Sequence, residues 1–353
     1  MKVARWYGQG DIRLEDESMP VPDSGEALIR VLWVGLCGSD LEEFDSGPIV
    51  ARPGVILGHE IVGEVLEPAA DGTGPRKGQA VIVDVVIGCG RCYWCQRHEE
   101  GLCPTLEVRG QTRDGGLAQY LTADASRLVV VPSGVPADRA ALAEPVSVAV
   151  RALRKIGSLL GRSVVIYGGG TIGMLCAQLA QRGGASTVVV VEPGALRRSV
   201  IQRWGVVTMW ADAEEERKTL LQGLLPVRGA DVVVECSGRS GVAREAARVT
   251  RRGGSMLLLG VPVGEENMDL LDLMLAEKSV FGSAAHMWDD DVAVAVDLLS
   301  SGALDVDSMI THRVPLEDIG HAFRLLQESG EAAIKLLVDC SSAPGPEDED
   351  ENA

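Results

Sequence analysis

Four cysteines crowd into fifteen residues as Cys89, Cys92, Cys95 and Cys103, a C-x2-C-x2-C-x7-C run. Soft thiolates at such spacing can fold a loop around one tetrahedral ion, and four of them close its coordination shell, so the pattern reads as a structural zinc site. An iron–sulfur cluster is the competing reading, because Cys103-Pro104 matches the end of a ferredoxin run. That run closes with three intervening residues and needs a second run elsewhere, and this chain has neither. A disulfide scaffold is characteristic of small secreted domains and does not suit 353 residues.

A second constellation is dispersed: Cys37 in Cys-Gly-Ser-Asp, His59 followed by Glu60 in Gly-His-Glu, and Glu144 in Ala-Glu-Pro. One thiolate, one imidazole and one carboxylate supply three metal ligands and leave a fourth position for water or substrate, as a catalytic zinc requires. Each residue also has an ordinary alternative, as a core cysteine, a hydrogen-bonded core histidine or a solvated or capping carboxylate. Spacing alone does not join them.

The third group is Gly168-Gly169-Gly170-Thr171-Ile172-Gly173, a G-x-G-x-x-G match that follows the apolar run VVIY and opens a helical pattern. Gly168 permits the turn, Gly170 lets the backbone approach a pyrophosphate, and Gly173 packs helix against strand. The helix N-terminus, where Thr171 and Ile172 lie, offers unpaired N–H groups to the phosphates. Glu192 ends the next strand, 19 residues past Gly173, and can accept both hydroxyls of an adenosine ribose while repelling a 2′-phosphate. NAD is the favoured cofactor. Arg197 and Arg198 follow closely enough to pair with a phosphate, which keeps NADP as the lesser alternative.

The elements that must position these groups divide the chain in two. Up to about residue 145, short strands such as ALIRVLWVG, VILGHEIVGEV, QAVIVDVV and LAQYLTADASRLVVVP alternate with glycine and proline turns. A helical stretch interrupted by Pro145 then leads to apolar, β-branched strands (VVIYG, TVVVVE, VVTMW, DVVVEC, SMLLLG, SVFGS) with helices beginning near Thr171, Ala195, Asp212, Arg239 and Met268. Strands with so little polar alternation suit a parallel sheet buried on both faces, and right-handed crossovers make it doubly wound. The fold class is therefore α/β. The uncharged stretch Ser163–Gln181 holds four glycines and two glutamines and is a strand, turn and helix rather than a membrane span.

Composition narrows the function. Apolar residues make up 46% and the formal charge is −18, so the chain is globular and lacks the basic face that nucleic acid needs. With three Phe and four Tyr, few aromatics are available to stack bases. The first residues carry charges at Lys2, Arg5, Asp11 and Arg13 without an apolar h-region, which makes the cytoplasm the expected location. Residues 342–353 hold five of the acids and read as a disordered tail.

In this order, CGSD at 37–40, GHE at 58–60, the four-cysteine loop, EP at 144–145, GGGTIG at 168–173 and DVVVECSG at 231–238 resemble the zinc-containing medium-chain alcohol dehydrogenase family over nearly all of residues 25–340. The resemblance implies a GroES-like, mostly-β catalytic domain in two parts, 1–146 and 287–341, around a Rossmann dinucleotide-binding domain at 147–286. It implies two zinc ions per chain, a small alcohol or ketone substrate, and a homodimer or homotetramer. A Glu at 144 with a complete cysteine loop is similar to the sorbitol, threonine and butanediol dehydrogenase branch. There Cys37 and His59 are metal ligands and Glu60 and Glu144 share the remaining roles, which of the two ligates being left open. Ser39 would take the alcohol proton and Asp40 would support its loop. Many relatives carry a proton-relaying His where this chain has Glu42. That departure, with GQTRDGG at 110–116 and DVDSM at 305–309, gives a partial resemblance to aminocyclitol dehydrogenases of the 2-deoxy-scyllo-inosamine type. His312 resembles a scaffold residue of the family.

The resulting expectation is reversible oxidation of a secondary alcohol on a polyol, sugar or cyclitol, with zinc as Lewis acid and hydride passing to the nicotinamide. The alternative from another class is a noncatalytic sensor that binds zinc and dinucleotide; a zinc-free quinone reductase would not need Cys37, His59 and Glu144 together. Cys176, Cys236 and Cys340 read as core thiols, and His98, His286 and His321 carry no legible role.

Overall fold

The computed structural model describes residues 1–262, 264–329 and 333–341. Chain contacts define two units, Met1–Glu144 with Ile310–Ala353 and Pro145–Met309. The tail expected to be disordered, 342–353, lies outside the described residues.

The first unit is built on a mixed sheet in the order Leu128–Val130, Ala80–Val83, Glu60–Glu67, Glu26–Leu36, Lys335–Asp339 and Ile310–Pro315, with Tyr120–Asp124 also pairing to Glu26–Leu36. Glu26–Leu36 is central, with Ala27, Leu28, Ile29, Val31, Val34 and Leu36 buried. The last strand returns antiparallel to it, with Leu337 opposite Gly35. Residues separated by about three hundred positions thereby become neighbours at the sheet centre.

The sequence suggests one strand through VILGHEIVGEV, but two are present, Val55–Ile56 and Glu60–Glu67. The break has a local cause. Gly58 sits at φ +87°, and a Cβ there would come within 2.7 Å of Val34 Cγ1, so the backbone turns where only glycine fits. His59 occupies this break rather than a strand position.

The second unit carries a six-stranded parallel sheet in the order Val207–Met209, Thr187–Val191, Ser163–Tyr167, Ala230–Glu235, Thr250–Leu258 and Ser279–Gly282. All five residues of Ser163–Tyr167 and all six of Ala230–Glu235 are buried, as doubly covered parallel strands require. Helices begin at Thr171, Ala195, Glu214, Val242 and Leu270. The helical stretch before the sheet resolves into Ala137–Ala140 and Ala143–Ile156, with Pro145 in a first turn that does not need its N–H.

The boundary expected at 286/287 differs from the structural division, in which the second unit continues to Met309. Specific contacts retain the segment: Asp291 accepts from Arg154 at 2.7 Å, and Asp305 accepts from Trp204 Nε1 at 2.9 Å. Among the described residues no helix is long and apolar enough to cross a membrane.

Candidate metal centres and cofactor site

Cys37 is the N-cap of the helix Gly38–Ser46, and its backbone N–H donates to Asp40 Oδ2 at 2.9 Å. Asp40 is buried, and its second oxygen accepts from Gly58 N–H at 3.2 Å while lying 3.4 Å from His59 Nδ1. One carboxylate therefore ties the Cys37 turn to the strand break that carries His59. The Nδ1 contact is too poorly aligned to count as a hydrogen bond. Burial opposes protonation of His59, but Asp40 and Cys37 outweigh it and hold the imidazole well above its ordinary value. Burial would raise the Asp40 carboxyl, yet His59 and the two backbone donors keep it low.

Glu60 begins the next strand and is buried. Both its oxygens accept from Lys335 Nζ, at 2.7 and 2.9 Å, and the same ammonium donates to Leu36 O at 3.0 Å. A Cβ on Gly35 would lie 1.9 Å from Glu60 Oε2. The carboxylate thus rests where the glycine has no side chain. Burial and then the charge of Glu144 push the Glu60 carboxyl up, against Lys335 and His59. Burial alone would lower Lys335, but Glu60, Cys37 and Glu144 raise it.

Donor atoms of Cys37, His59 and Glu60 all lie within 4.8 Å of one another. Glu144, in the first turn of Ala143–Ile156, lies close enough for its charge to act on Glu60 and Lys335, though it is outside that trio. Ser39, half-buried, is two residues past Cys37 on the helix. The pocket combines a thiol, an imidazole and a carboxylate, with a buried imidazole nitrogen directed at a carboxylate. A neighbouring carboxylate of this kind is what steadies a metal-ligating histidine, and the donor set fits a zinc ion.

The cysteine loop is compact. The thiols of Cys89, Cys92, Cys95 and Cys103 lie within 4.8 Å of one another, with Cys92 Sγ and Cys95 Sγ 3.5 Å apart. Backbone N–H groups of Arg91 and Cys92 bring the Cys89 thiol down to about 6. Burial pushes Cys95 up to about 12. Gly88 is required here, since a Cβ would approach Cys95 Sγ to 2.7 Å. This set also suits one tetrahedral ion.

In the second unit the turn after Ser163–Tyr167 places Gly168 at φ +93°, and a Cβ on Gly173 would meet Gly168 O at 1.9 Å. Gly170 caps the helix Thr171–Arg182, and a Cβ added to it would meet nothing within 4 Å. Glu192 follows Thr187–Val191 and accepts from Gly169 N–H at 2.5 Å and from Gly194 N–H at 2.7 Å. It therefore organises the turn. Arg197 lies 3.9 Å from Glu192. Arg198 donates to the carbonyls of Glu192 and Pro193.

Sequence reasoning missed Lys335 and Gly35. The available signal was a lone lysine inside the apolar run AAIKLLVD, because a charge at a buried strand position requires a partner. It also missed Glu235, buried at a strand end and accepting from Ser237 N–H at 2.7 Å and Gly238 N–H at 3.1 Å. The fixed Ser237 backbone packs directly over Gly168.

Residues 23–133 match the family described as alcohol dehydrogenase GroES-like domain, and residues 171–301 match that described as zinc-binding dehydrogenase. The chain is 31% identical to an L-threonine 3-dehydrogenase of Pyrococcus furiosus, over 96% of this chain and 97% of that protein. It is 28% identical to a sorbitol dehydrogenase of Bacillus subtilis, over 96% and 97%. Its fold is similar to that of a Sinorhizobium meliloti 1021 protein crystallised with NADP, with a TM-score of 0.86, 28% identity, and 96% and 98% of the two chains covered.

Proposed function

Since the chain belongs to the zinc-binding alcohol dehydrogenase family with a GroES-like domain, we propose that it interconverts a secondary alcohol of a polyol, sugar or cyclitol and the corresponding ketone, with NAD+ taking the hydride and one proton released. The observation that carries this reading is the convergence of Cys37, His59 and Glu60 donor atoms within 4.8 Å from separate segments of the chain. Four cysteines alone would give a structural ion and no chemistry.

Cys37, His59 and Glu60 would hold a zinc ion, with Glu144 beside them, and Cys89, Cys92, Cys95 and Cys103 would hold a second. When bound, the first zinc supplies Lewis-acid polarisation of the alcohol oxygen and the nicotinamide supplies the hydride acceptor. The remaining work belongs to side chains. Asp40 orients His59, Lys335 anchors Glu60, and Ser39 takes the alcohol proton on Oγ and passes it on. Gly168, Gly170 and Gly173 shape the turn that receives the pyrophosphate, together with the N–H groups of Thr171 and Ile172. Glu192 reads the adenosine ribose and favours NAD over NADP, with Arg197 at its side.

A homodimer or homotetramer is supported by the helix Leu270–Leu275, which buries none of its residues and leaves Leu270, Leu271, Met274 and Leu275 57–74% exposed. It precedes Ser279–Gly282, the last strand of its sheet, and an edge position of this kind suits pairing with a second copy.

The test is an NADH-absorbance screen of zinc-loaded protein against polyols, threonine, butanediol, glucose and aminocyclitols, with metal content measured in parallel. Two ions per chain and turnover of at least one secondary alcohol are expected. Cys37→Ala should retain one ion and lose turnover, whereas Ser39→Ala should retain both ions and turn over more slowly. A single ion in the parent protein, with dinucleotide bound and no alcohol oxidised, would favour the noncatalytic alternative.

A further inference from the structure

Lys335 has no part in the expected ligand set, yet it is the most completely engaged charge beside it. The residue is 1% exposed. Its three ammonium protons are met by Glu60 Oε1, Glu60 Oε2 and Leu36 O, so none is left for another partner. Glu60 cannot swing away without cost, because it lies over Gly35 and gives up a buried ion pair if it moves. The other groups whose charge acts on Lys335 are Cys37 and Glu144. A pocket that gathers a thiolate and two carboxylates therefore carries one permanent cation of its own, bonded to the carboxylate that would also bind the metal.

Resting on the reading that Cys37, His59 and Glu60 hold a divalent ion, we propose that Lys335 is a positioning residue that competes with the metal for Glu60, making it an exchangeable ligand and keeping one coordination position available to the alcohol. Carboxylate oxygens have lone pairs for both cations, but an ammonium at hydrogen-bond distance withdraws charge from each oxygen and weakens its bond to the metal. Without Lys335 the metal no longer shares Glu60 with an ammonium. The metal-free pocket then loses more than the metal-bound one, because its negative charge is less compensated, and the equilibrium moves toward bound metal.

The experiment compares the parent chain with Lys335→Met, which keeps length and apolar volume without charge, and with Lys335→Arg. Zinc affinity is read by competition with a chelator of known strength, and coordination by the visible absorption of the cobalt(II)-loaded protein. Lys335→Met is expected to hold zinc at this centre about tenfold or more tightly, a difference of about 1.4 kcal/mol or more. Its cobalt bands should be altered, and Lys335→Arg should restore both readings toward the parent. A folded Lys335→Met with parental zinc affinity and parental cobalt bands would overturn the proposal and reduce Lys335 to a structural brace. If Lys335→Met does not fold, Glu60→Gln is compared with Glu60→Gln/Lys335→Met. With Glu60 uncharged, loss of the lysine should change zinc affinity less than about twofold, and a tenfold change would overturn the proposal. Failure of the underlying reading looks different: the parent chain would take up one ion only, in the cysteine loop.

Discussion

The replacement Gly35→Ala tests the geometry of the pocket through one methyl group. Gly35 stands opposite Glu60 in the antiparallel register. The new Cβ would lie 1.9 Å from Glu60 Oε2, 2.9 Å from Cδ and 3.1 Å from Glu60 Cβ. Ordinary contact begins above 3 Å, so the oxygen must retreat by roughly 1.3 Å, and a hydrogen bond does not survive displacement of that size. The position of Glu60 Cβ limits escape by simple rotation. The backbone of Gly35 has no left-handed torsion, so alanine is acceptable to the main chain and the effect is steric. Losing a buried ion pair on one side costs about 3–5 kcal/mol, and each kcal/mol lowers Tm by roughly 2–4 °C in a unit of this size. A fall on the order of 10 °C is expected. Displacing the Glu60 oxygen also removes the third donor from the Cys37–His59–Glu60 trio. Metal analysis after dialysis against a mild chelator should fall from two ions per chain to one, with the cysteine loop still loaded. A Gly35→Ala protein that kept two ions and melted within about 2 °C of the parent would refute the placement of Glu60.

Asp40→Asn should lower zinc affinity at the same centre by about 10- to 100-fold, as loss of a partner carboxylate does for ligating histidines, measured by chelator competition; unchanged affinity would remove Asp40 from the metal site. Glu192→Ala should weaken NAD binding and shift the NAD-to-NADP affinity ratio toward NADP, read by titration of intrinsic fluorescence. It should also cost about 1–3 kcal/mol of stability because Gly169 N–H and Gly194 N–H lose their acceptor; an unaltered ratio would show that another residue reads the ribose. Asp231 is buried and would be raised by burial, but Ser163 and Arg251 bring it from 3.8 down to about 2. A depressed carboxyl stabilises the fold fully above its unfolded value and loses that contribution as pH falls toward 2, on the order of 2 kcal/mol here. Acid melting between pH 4 and 2 should therefore be shallower in Asp231→Asn than in the parent, and equal slopes would contradict the assignment.

Much of the chemistry was local in the sequence. The cysteine run fits one ion because its ligands are close along the chain, and the glycine turn is dictated by backbone constraints at Gly168 and Gly173 that only glycine meets. The parallel strands announced themselves through unbroken apolar runs, since burial on both faces leaves no place for alternation. The span VILGHEIVGEV misled as a single strand because apolar patterning does not register a backbone break at Gly58, yet that break is what presents His59.

The amino-acid order by itself determined the fold class, the cysteine loop and the turn for the dinucleotide, because each depends on neighbours within a few residues or on periodicity. Tertiary structure alone decided that Cys37, His59 and Glu60 meet, that Asp40 links two of them, and that Lys335 grips the third. Those side-chain contacts reach across as many as 275 positions of sequence, and no local pattern encodes which distant charge will neutralise a buried one. Burial makes such a partner obligatory, while the return of the last strand beside Glu26–Leu36 selects which residue it is.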